Sequence, residues 1–565
     1  MDPMEKPWLK SYEPQVPPTL TYPQRPVDVN LRESARKYPN ATATIYQDAK
    51  LTYAELDALV DRYAAALQQL GIRKGDRVGI YVANCPQFII AYYGTLRAGG
   101  IVVPFNPLYA AREVEHQLKD SGATVLLTLT RFFPIVQQVR RNTSLKHLIV
   151  TNIKEYFPPV TKLLFTLVKE KAGGDRQDIS GAGNTDWLQN LLQKAPAKPT
   201  PVEVTPGDTA VLLYTGGTTG VPKAAEITHA NVMANTVMCR AWMHDTQEAK
   251  EVAVTALPLY HSFGMTTCMN FAVYTAGAML LIPNPRDLPG MLKEINKHHP
   301  TLFPGVPTMY VAINNFPDIA KYDLKSIRAC LSGAAGLPVE VQTKFQNLTG
   351  ARLVEGYGLS EATPVTHANP VYGNNRVGTI GVPWPDTEAK IMDLETGMQE
   401  LPVGEVGELV IRGPQVMKGY WNMPAETVIA LRNGWLYTGD MATMDAEGYF
   451  KIVDRKKDMI IAGGYNIYPR DVEEVLYQHP KVKEVVVAGI PDPYRGETVK
   501  AYIILKAGET ATEREIIDFC RDKMAKYKVP TAVEFRTELP KTIVGKILRR
   551  MLVEEEKKKL EAKGK

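Results

Sequence analysis

The sequence predicts an α/β protein: a large N-terminal domain of layered α/β subdomains with a β-rich subdomain, followed by a small α+β C-terminal domain. Three observations predict it. Helix-like and strand-like segments alternate from residue 51 to about residue 330. From Leu409 the texture changes to short strands and turns. The charged stretch Asp454-Arg455-Lys456-Lys457-Asp458 then separates that region from a last run of strands and a helix. With 565 residues, and about 100–200 residues per domain, the chain has room for this arrangement.

The elements follow in order. Leu51-Thr52-Tyr53 opens a helix that keeps Leu56, Leu59, Val60, Tyr63, Ala64 and Leu67 on one face, and Gly71 stops it. Arg77-Val78-Gly79-Ile80-Tyr81-Val82 alternates as a strand does. Val125-Leu126-Leu127-Thr128 and Leu148-Ile149-Val150 continue the rhythm, which is that of parallel sheets covered by helices. The longest apolar run, Phe271 to Ile282, falls short of the ~20 residues that span a bilayer and reads as buried core. Glu408–Gly413 and Gly448–Ile452 are the short strands of the β-rich part. Val485–Ala488, Tyr502–Leu505 and a helix from about Thr512 to Met524 give the last part a core of its own. The expected division is 1–453 for the large domain, 454–458 for the boundary, which the resemblance given below makes a hinge, and 459–565 for the small domain. The tail, with Glu554–Glu556 before Lys557–Lys559, reads as a solvated helix.

Two stretches read as insertions: a proline-rich arm up to about Pro26, and residues 152–200. In the second, Val160, Leu163, Leu164, Leu167 and Val168 stand at i, i+3, i+4, i+7 and i+8, one apolar stripe of a helix with Lys162, Lys169 and Lys171 as neighbours. Two readings are open, and the plainer is preferred: a helix packed on the domain body. The other is a membrane-surface helix that helps capture lipid.

Composition excludes several classes. With 45% hydrophobic and 22% charged residues the chain has the balance of a globular protein, with apolar material enough for a core that needs no staples. A net charge of +5 over this length is a weak field and gives no ground for a nucleic-acid partner. Cys85, Cys239, Cys268, Cys330 and Cys520 are far apart and contain no CxxC pair, so neither a disulfide framework nor a zinc site is indicated. The N-terminus lacks the basic-then-apolar pattern of a signal peptide. A cytoplasmic protein, with peripheral contact at the inner membrane face left open, is the expectation; so is an open question of homodimerisation.

The strongest local signal is Tyr214-Thr215-Gly216-Gly217-Thr218-Thr219-Gly220-Val221-Pro222-Lys223 after the apolar run Ala210–Leu213. Glycines admit an anion close to the backbone, threonines add hydroxyl donors and Lys223 adds charge, which together suit a triphosphate. The spacing is not that of a GxxxxGK[ST] loop, and a plain Gly/Thr surface turn is the competing reading.

Further motifs stand in order along the chain: Arg97-Ala98-Gly99-Gly100, Leu331-Ser332-Gly333-Ala334-Ala335-Gly336, Glu355-Gly356-Tyr357-Gly358-Leu359-Ser360-Glu361, Tyr437-Thr438-Gly439-Asp440, the stretch 454–458, and Pro540 through Gly545-Lys546 to Arg549-Arg550. With the Gly/Thr loop they resemble the adenylate-forming superfamily of acyl-CoA synthetases, luciferases and peptide-synthetase adenylation domains. Phe303–Tyr310 resembles the acyl-pocket segment of bacterial long-chain fatty-acid–CoA ligases. Ala224 and Ser360 depart from the family's usual glycine and threonine, and no tryptophan follows closely after His261.

The resemblance implies a function: fatty acid, ATP and coenzyme A become acyl-CoA, AMP and pyrophosphate through an acyl-adenylate, with domain alternation between the half-reactions. Two anions must meet for this. Like unit charges ~4 Å apart at an effective dielectric of ~20 repel by about 4 kcal/mol. By resemblance, Mg²⁺ held by Glu361 and the Thr215 hydroxyl, with the Lys546 ammonium, offsets that repulsion. The resemblance places the phosphates on Gly216, Gly217, Thr218, Thr219, Gly220 and Lys223. It places adenine against Gly333, Ala334, Tyr357, Gly358 and Ser360, and the ribose hydroxyls on Asp440 with Arg455. His261 falls beside the acyl carbonyl, Lys457 is the hinge residue, and Gly463-Gly464-Tyr465 lines the route of coenzyme A. Two other readings are weighed: adenylation with delivery to a carrier protein or oxidation as in luciferases, and a lipid-uptake protein whose catalysis has lapsed.

Overall fold

An eight-stranded sheet forms the floor of the large lobe in the computed structural model, which describes residues 6–215, 222–455, 458–462, 465–492, 494–521, 523–541 and 547–563. Its order is Gly419–Tyr420, Lys223–Thr228, Thr209–Thr215, Ile101–Pro104, Arg77–Tyr81, Val125–Leu129, His147–Thr151 and Thr185–Trp187. The centre is parallel, as the alternation predicts. One edge is not: Thr209–Thr215 and Lys223–Thr228 run antiparallel, as a hairpin. An antiparallel pair needs only a short connection, and here that connection is the Gly/Thr loop.

A second sheet places Ala278–Leu281 between Thr42–Tyr46 and Val252–Thr255. The helix Tyr53–Gln69 starts at Thr52, whose side chain and that of Glu55 close a capping box, and Gly71 lies beyond its end at φ +89°. Phe271–Ile282 is buried core: the helix Phe271–Tyr274, a turn and the strand Ala278–Leu281. Strands Ala329–Ser332 and Arg352–Gly358 run parallel with Ser332 opposite Glu355, so Gly333 and the Gly356–Gly358 end of the second strand follow at the same end of the pair. The β-rich part pairs Glu388–Met392, Gly407–Arg412, Trp435–Met444 and Phe450–Arg455 in antiparallel order.

The small lobe has a five-stranded sheet in which Gly496–Leu505 pairs with Val482–Asp492 and with Ala532–Phe535. Pro469–Tyr477 and Glu513–Arg521 lay Val472, Leu476, Ile516 and Cys520 on it, a core separate from that of the large lobe. The tail helix Arg549–Lys563 buries Leu552, and Glu556 reaches Lys500 at 2.9 Å, so it is docked rather than solvated.

Two further expectations are overturned. Residues 152–200 are not a plain insertion, since Thr185–Trp187 supplies the edge strand of the eight-stranded sheet. The apolar stripe at 160–168 does not pack on the body: the helix Pro159–Val168 buries no residue. Its inner side is taken by Phe165, packed edge-on against Phe157 at 5.5 Å, and by Thr166, which accepts from Lys154 at 2.9 Å. The five aliphatic residues therefore face away. The proline-rich arm is docked, with Trp8 and Val16 buried and Glu13 Oε2 2.7 Å from His244 Nε2.

Candidate active site

The hairpin that carries the Gly/Thr loop sets the first part of the site. Its register pairs Thr215 with Lys223, so both stand at the mouth of the loop, and the Thr215 hydroxyl donates to the Lys223 carbonyl at 3.4 Å. Gly216, Gly217, Thr218, Thr219 and Gly220 lie outside the described residues. The Lys223 ammonium pairs with Glu426 and lies over the Tyr420 ring, 5.4 Å from its centroid. Tyr214 donates to Asp120 Oδ2 at 2.6 Å, which fixes the strand before the loop.

The second part forms where parallel strands end, the usual place for a ligand in an α/β sheet. Gly333 is buried, and its N–H donates to the Gly305 carbonyl at 3.2 Å. Ala334 is exposed and held at φ +70°, a conformation that costs an L-residue about 1–2 kcal/mol. Such strain gathers at functional sites. At Gly358 a Cβ would meet the Pro364 carbonyl oxygen at 2.0 Å, so only glycine fits. Tyr357 donates to Asp440 Oδ2 at 2.6 Å. Burial first, and then the Asp440 carboxylate, pushes its phenol well above the ordinary range, so it stays a donor. Asp440 and Arg455 are cross-strand partners, with Arg455 Nε 3.3 Å from Asp440 Oδ1. The fold thus brings together three sequence-predicted residues from two subdomains.

Between these parts lies the turn Ser360–Ala362. The Ser360 and Ser262 hydroxyls are 3.3 Å apart, and Glu361 Oε1 accepts from Tyr420 at 2.9 Å. His261 Nδ1 accepts from the Phe263 N–H at 3.4 Å. A small cavity here is lined by Tyr109, Tyr214, Tyr260, His261, Ser262 and Ser360, so the histidine and the serine turn share one space. Glu361 and Thr215 offer a carboxylate and a hydroxyl, hard oxygen donors that fit Mg²⁺. Among the described residues the one cluster of three metal-competent protein ligands is elsewhere, at Asp48, Glu294 and His298, where Lys297 already pairs with Asp48 at 2.6 Å. A cation at Glu361 would therefore complete its shell with phosphate and water oxygens, as Mg²⁺ usually does.

Lys546, Lys457, Gly463 and Gly464 lie outside the described residues. Their neighbours are placed. Lys541 and Ile547 form an antiparallel bridge on either side of 542–546. Ala462 pairs with Tyr465 across 463–464, and the half-exposed Tyr465 ring stacks on Tyr527 at 4.5 Å. Asp454 Oδ2 accepts the Arg470 N–H at 3.0 Å, and Arg549 approaches Oδ1 at 3.4 Å. Burial lifts the Asp454 carboxyl to about 6 against the pull of Arg549.

Sequence reasoning missed Tyr420, Glu426, Asp120 and Arg470. Tyr420 touches both Glu361 and Lys223 from an edge strand 59 residues after Glu361, and no spacing rule links them. Only Gly419-Tyr420-Trp421, an aromatic pair after a glycine, could have drawn notice.

Residues 31–421 match the family described as AMP-binding enzyme, and residues 471–546 match the AMP-binding enzyme C-terminal domain. A long-chain-fatty-acid–CoA ligase of Bacillus subtilis (strain 168) is 49% identical over 556 residues, 98% of each chain. One of Escherichia coli O6:H1 is 41% identical over 575 residues, covering 99% of this chain and 100% of the relative. Among solved structures, the anthranilate CoA ligase AuaEII in complex with anthranoyl-AMP superposes with a TM-score of 0.82 at 28% identity, covering 95% of this chain and 98% of the other.

Proposed function

The chain belongs to the AMP-binding enzyme family, and from that premise we infer that it is an ATP-dependent fatty acyl-CoA synthetase of the long-chain type. It turns fatty acid, ATP and coenzyme A into acyl-CoA, AMP and pyrophosphate through an acyl-adenylate. The observation that carries this is the 49% identity to a long-chain-fatty-acid–CoA ligase along 98% of both chains. The acyl-adenylate in the AuaEII complex supports the same two-step chemistry.

The proposal extends to the parts. Residues 1–453 bind nucleotide and acid, 454–458 turn, and 459–565 bring first Lys546 and then the Gly463-Gly464-Tyr465 edge to the same place. Asp440, with a neighbour on each oxygen in Tyr357 and Arg455, takes the ribose hydroxyls. A carboxylate has lone pairs enough for two donors beyond these. Gly333, Ala334, Tyr357, Gly358 and Ser360 face adenine, and the loop from Thr215 to Lys223 takes the phosphates. Mg²⁺, when bound by Glu361 and Thr215, supplies neutralising charge on phosphate oxygens. Lys546 holds its ammonium on the α-phosphate and carboxylate oxygens, and His261 stands beside the acyl carbonyl. Lys457 lets the small lobe turn between steps, which separates two chemistries that need different groups in one site.

No helix among the described residues is long and apolar enough to cross a membrane. A cytoplasmic location, peripheral contact at the inner membrane face and a homodimer are parts of the proposal. The test is pyrophosphate release across fatty acids from short to long, followed by thioester formation with free coenzyme A alone. Release with long acids and a coenzyme A thioester are expected. Pyrophosphate without thioester would point to a carrier protein, and no release with any acid would point to a non-catalytic lipid-binding protein.

A further inference from the structure

We infer that the helix Pro159–Val168 seats this enzyme on an anionic bilayer surface. Val160, Leu163, Leu164, Leu167 and Val168 are between 56% and 73% exposed, on a helix that buries nothing. Scattered single apolar side chains on a surface need no explanation, but five on one stripe do. The helix is also inverted relative to a surface helix of a globular protein, which turns its apolar face inward. Here the inward side carries the fixings: Phe165 against Phe157, Lys162 to Glu155 at 2.7 Å, and Thr166 to Lys154. Phe157 in turn packs on Tyr46 at 5.4 Å, so the helix is held firmly to the large lobe with its aliphatic face outward.

Charge decides the occupant. The helix contains no acidic residue, and from Pro159 to Lys171 three lysines stand against the single Glu170. Lys169 and Lys171 are exposed, while Glu170 is buried on Asn152 and Lys154 and shows no charge outward. An aliphatic stripe rimmed by ammonium groups suits acyl chains below anionic headgroups. Ten residues rise about 15 Å, half of a ~30 Å hydrocarbon core, so the helix lies in the interface and does not span. A second copy is a poorer fit, because five side chains on three turns fall short of the ~800 Å² per partner of a stable interface. The seat stands on this geometry. It rests on the acyl-CoA synthetase reading only for its purpose, since each methylene of a long-chain acid favours the bilayer and the substrate collects there.

The test uses the full chain, its Leu163→Glu/Leu167→Glu variant and vesicles of phosphatidylglycerol with phosphatidylcholine. Both positions are exposed, so folding is spared, and unchanged thermal unfolding checks this. Flotation is expected to show wild-type binding that weakens with added salt and falls about ten-fold or more in the variant. A second variant, Leu164→Cys, carries an environment-sensitive dye; the five native cysteines are buried, so labelling is selective. Its emission is expected to shift to the blue on adding these vesicles. Equal binding of wild type and double variant, or an unmoved emission, overturns the inference. So does a wild-type dimer that the double variant splits in sedimentation, since the stripe would then join two copies. Pyrophosphate release from detergent-dispersed fatty acid separates the two readings. Release with no vesicle binding sinks the seat alone, and binding that depends on Leu163 and Leu167 with no release sinks the enzyme reading alone.

Discussion

Nη2 of Arg470 in the small lobe lies 3.8 Å from Oε1 of Glu355 in the large lobe, at the strand that continues to Tyr357. The same guanidinium covers Gly336, where a Cβ would meet Nη2 at 2.4 Å. The Arg470 side chain also donates to the Ile452 carbonyl at 3.1 Å. One side chain thus touches the loop after Gly333, the strand before Tyr357 and the strand that ends at Arg455.

Glu355 makes this contact sensitive to pH. Burial pushes its carboxyl up to about 7, against the pull of Arg470, and its Oε2 has no hydrogen-bond partner. A folded value above the unfolded one means that the native state holds the extra proton between about pH 4.5 and 7. This contribution to stability is full below the unfolded value and is lost as pH rises through the folded one. Glu355→Gln removes the titration. The stability of wild type relative to the variant is expected to fall by about 1 kcal/mol per pH unit across that window, measured by urea unfolding at several pH values. A flat difference would show that Glu355 does not titrate there.

Tyr357→Phe keeps the ring and deletes the hydroxyl that donates to Asp440. A lost hydrogen bond of this kind costs about 1 kcal/mol, or roughly five-fold in nucleotide affinity. Calorimetry with a non-hydrolysable ATP analogue is expected to show that loss. Asp440→Ala should lose more if Asp440 takes the ribose as proposed, since ribose and Tyr357 then both lose their acceptor.

Glu426 and the phosphates compete for the Lys223 ammonium if Lys223 serves the nucleotide. The pair is partly exposed and worth at most about 1 kcal/mol. Glu426→Gln is expected to tighten ATP-analogue binding by about two- to five-fold, and Lys223→Ala to weaken it. Unchanged affinity in both would make the pair purely structural.

Lys546→Ala is expected to lower adenylate formation by about 10²–10³-fold, the scale of losing one preorganised donor. Thioester formation from synthetic acyl-AMP should be largely spared. An equal loss in both half-reactions would refute alternation about residues 454–458.

Much of the architecture was legible because it depends on local pattern. Alternation marks Arg77–Tyr81, short apolar runs mark Val125–Leu129 and His147–Thr151, and the apolar face from Leu56 to Leu67 marks Tyr53–Gln69. The Gly/Thr loop, Glu361, Asp440 and Arg455 could be named because they sit in ordered motifs. Tyr420, Glu426 and Arg470 could not. Each acts through a partner far along the chain, and no local pattern encodes such a meeting.

By itself, the sequence determined the helices and strands, the order of the motifs and the apolar stripe from Val160 to Val168, since these follow from side-chain chemistry at short spacing. Tertiary structure alone decided where they point. It turned the stripe outward, because Phe165 and Thr166 claim the inner side, and it turned a run of parallel strands antiparallel at the loop-bearing hairpin. It also laid Arg470 across Gly336 and Glu355. Periodicity fixes which residues share a face, but only the packing of distant segments fixes what that face meets.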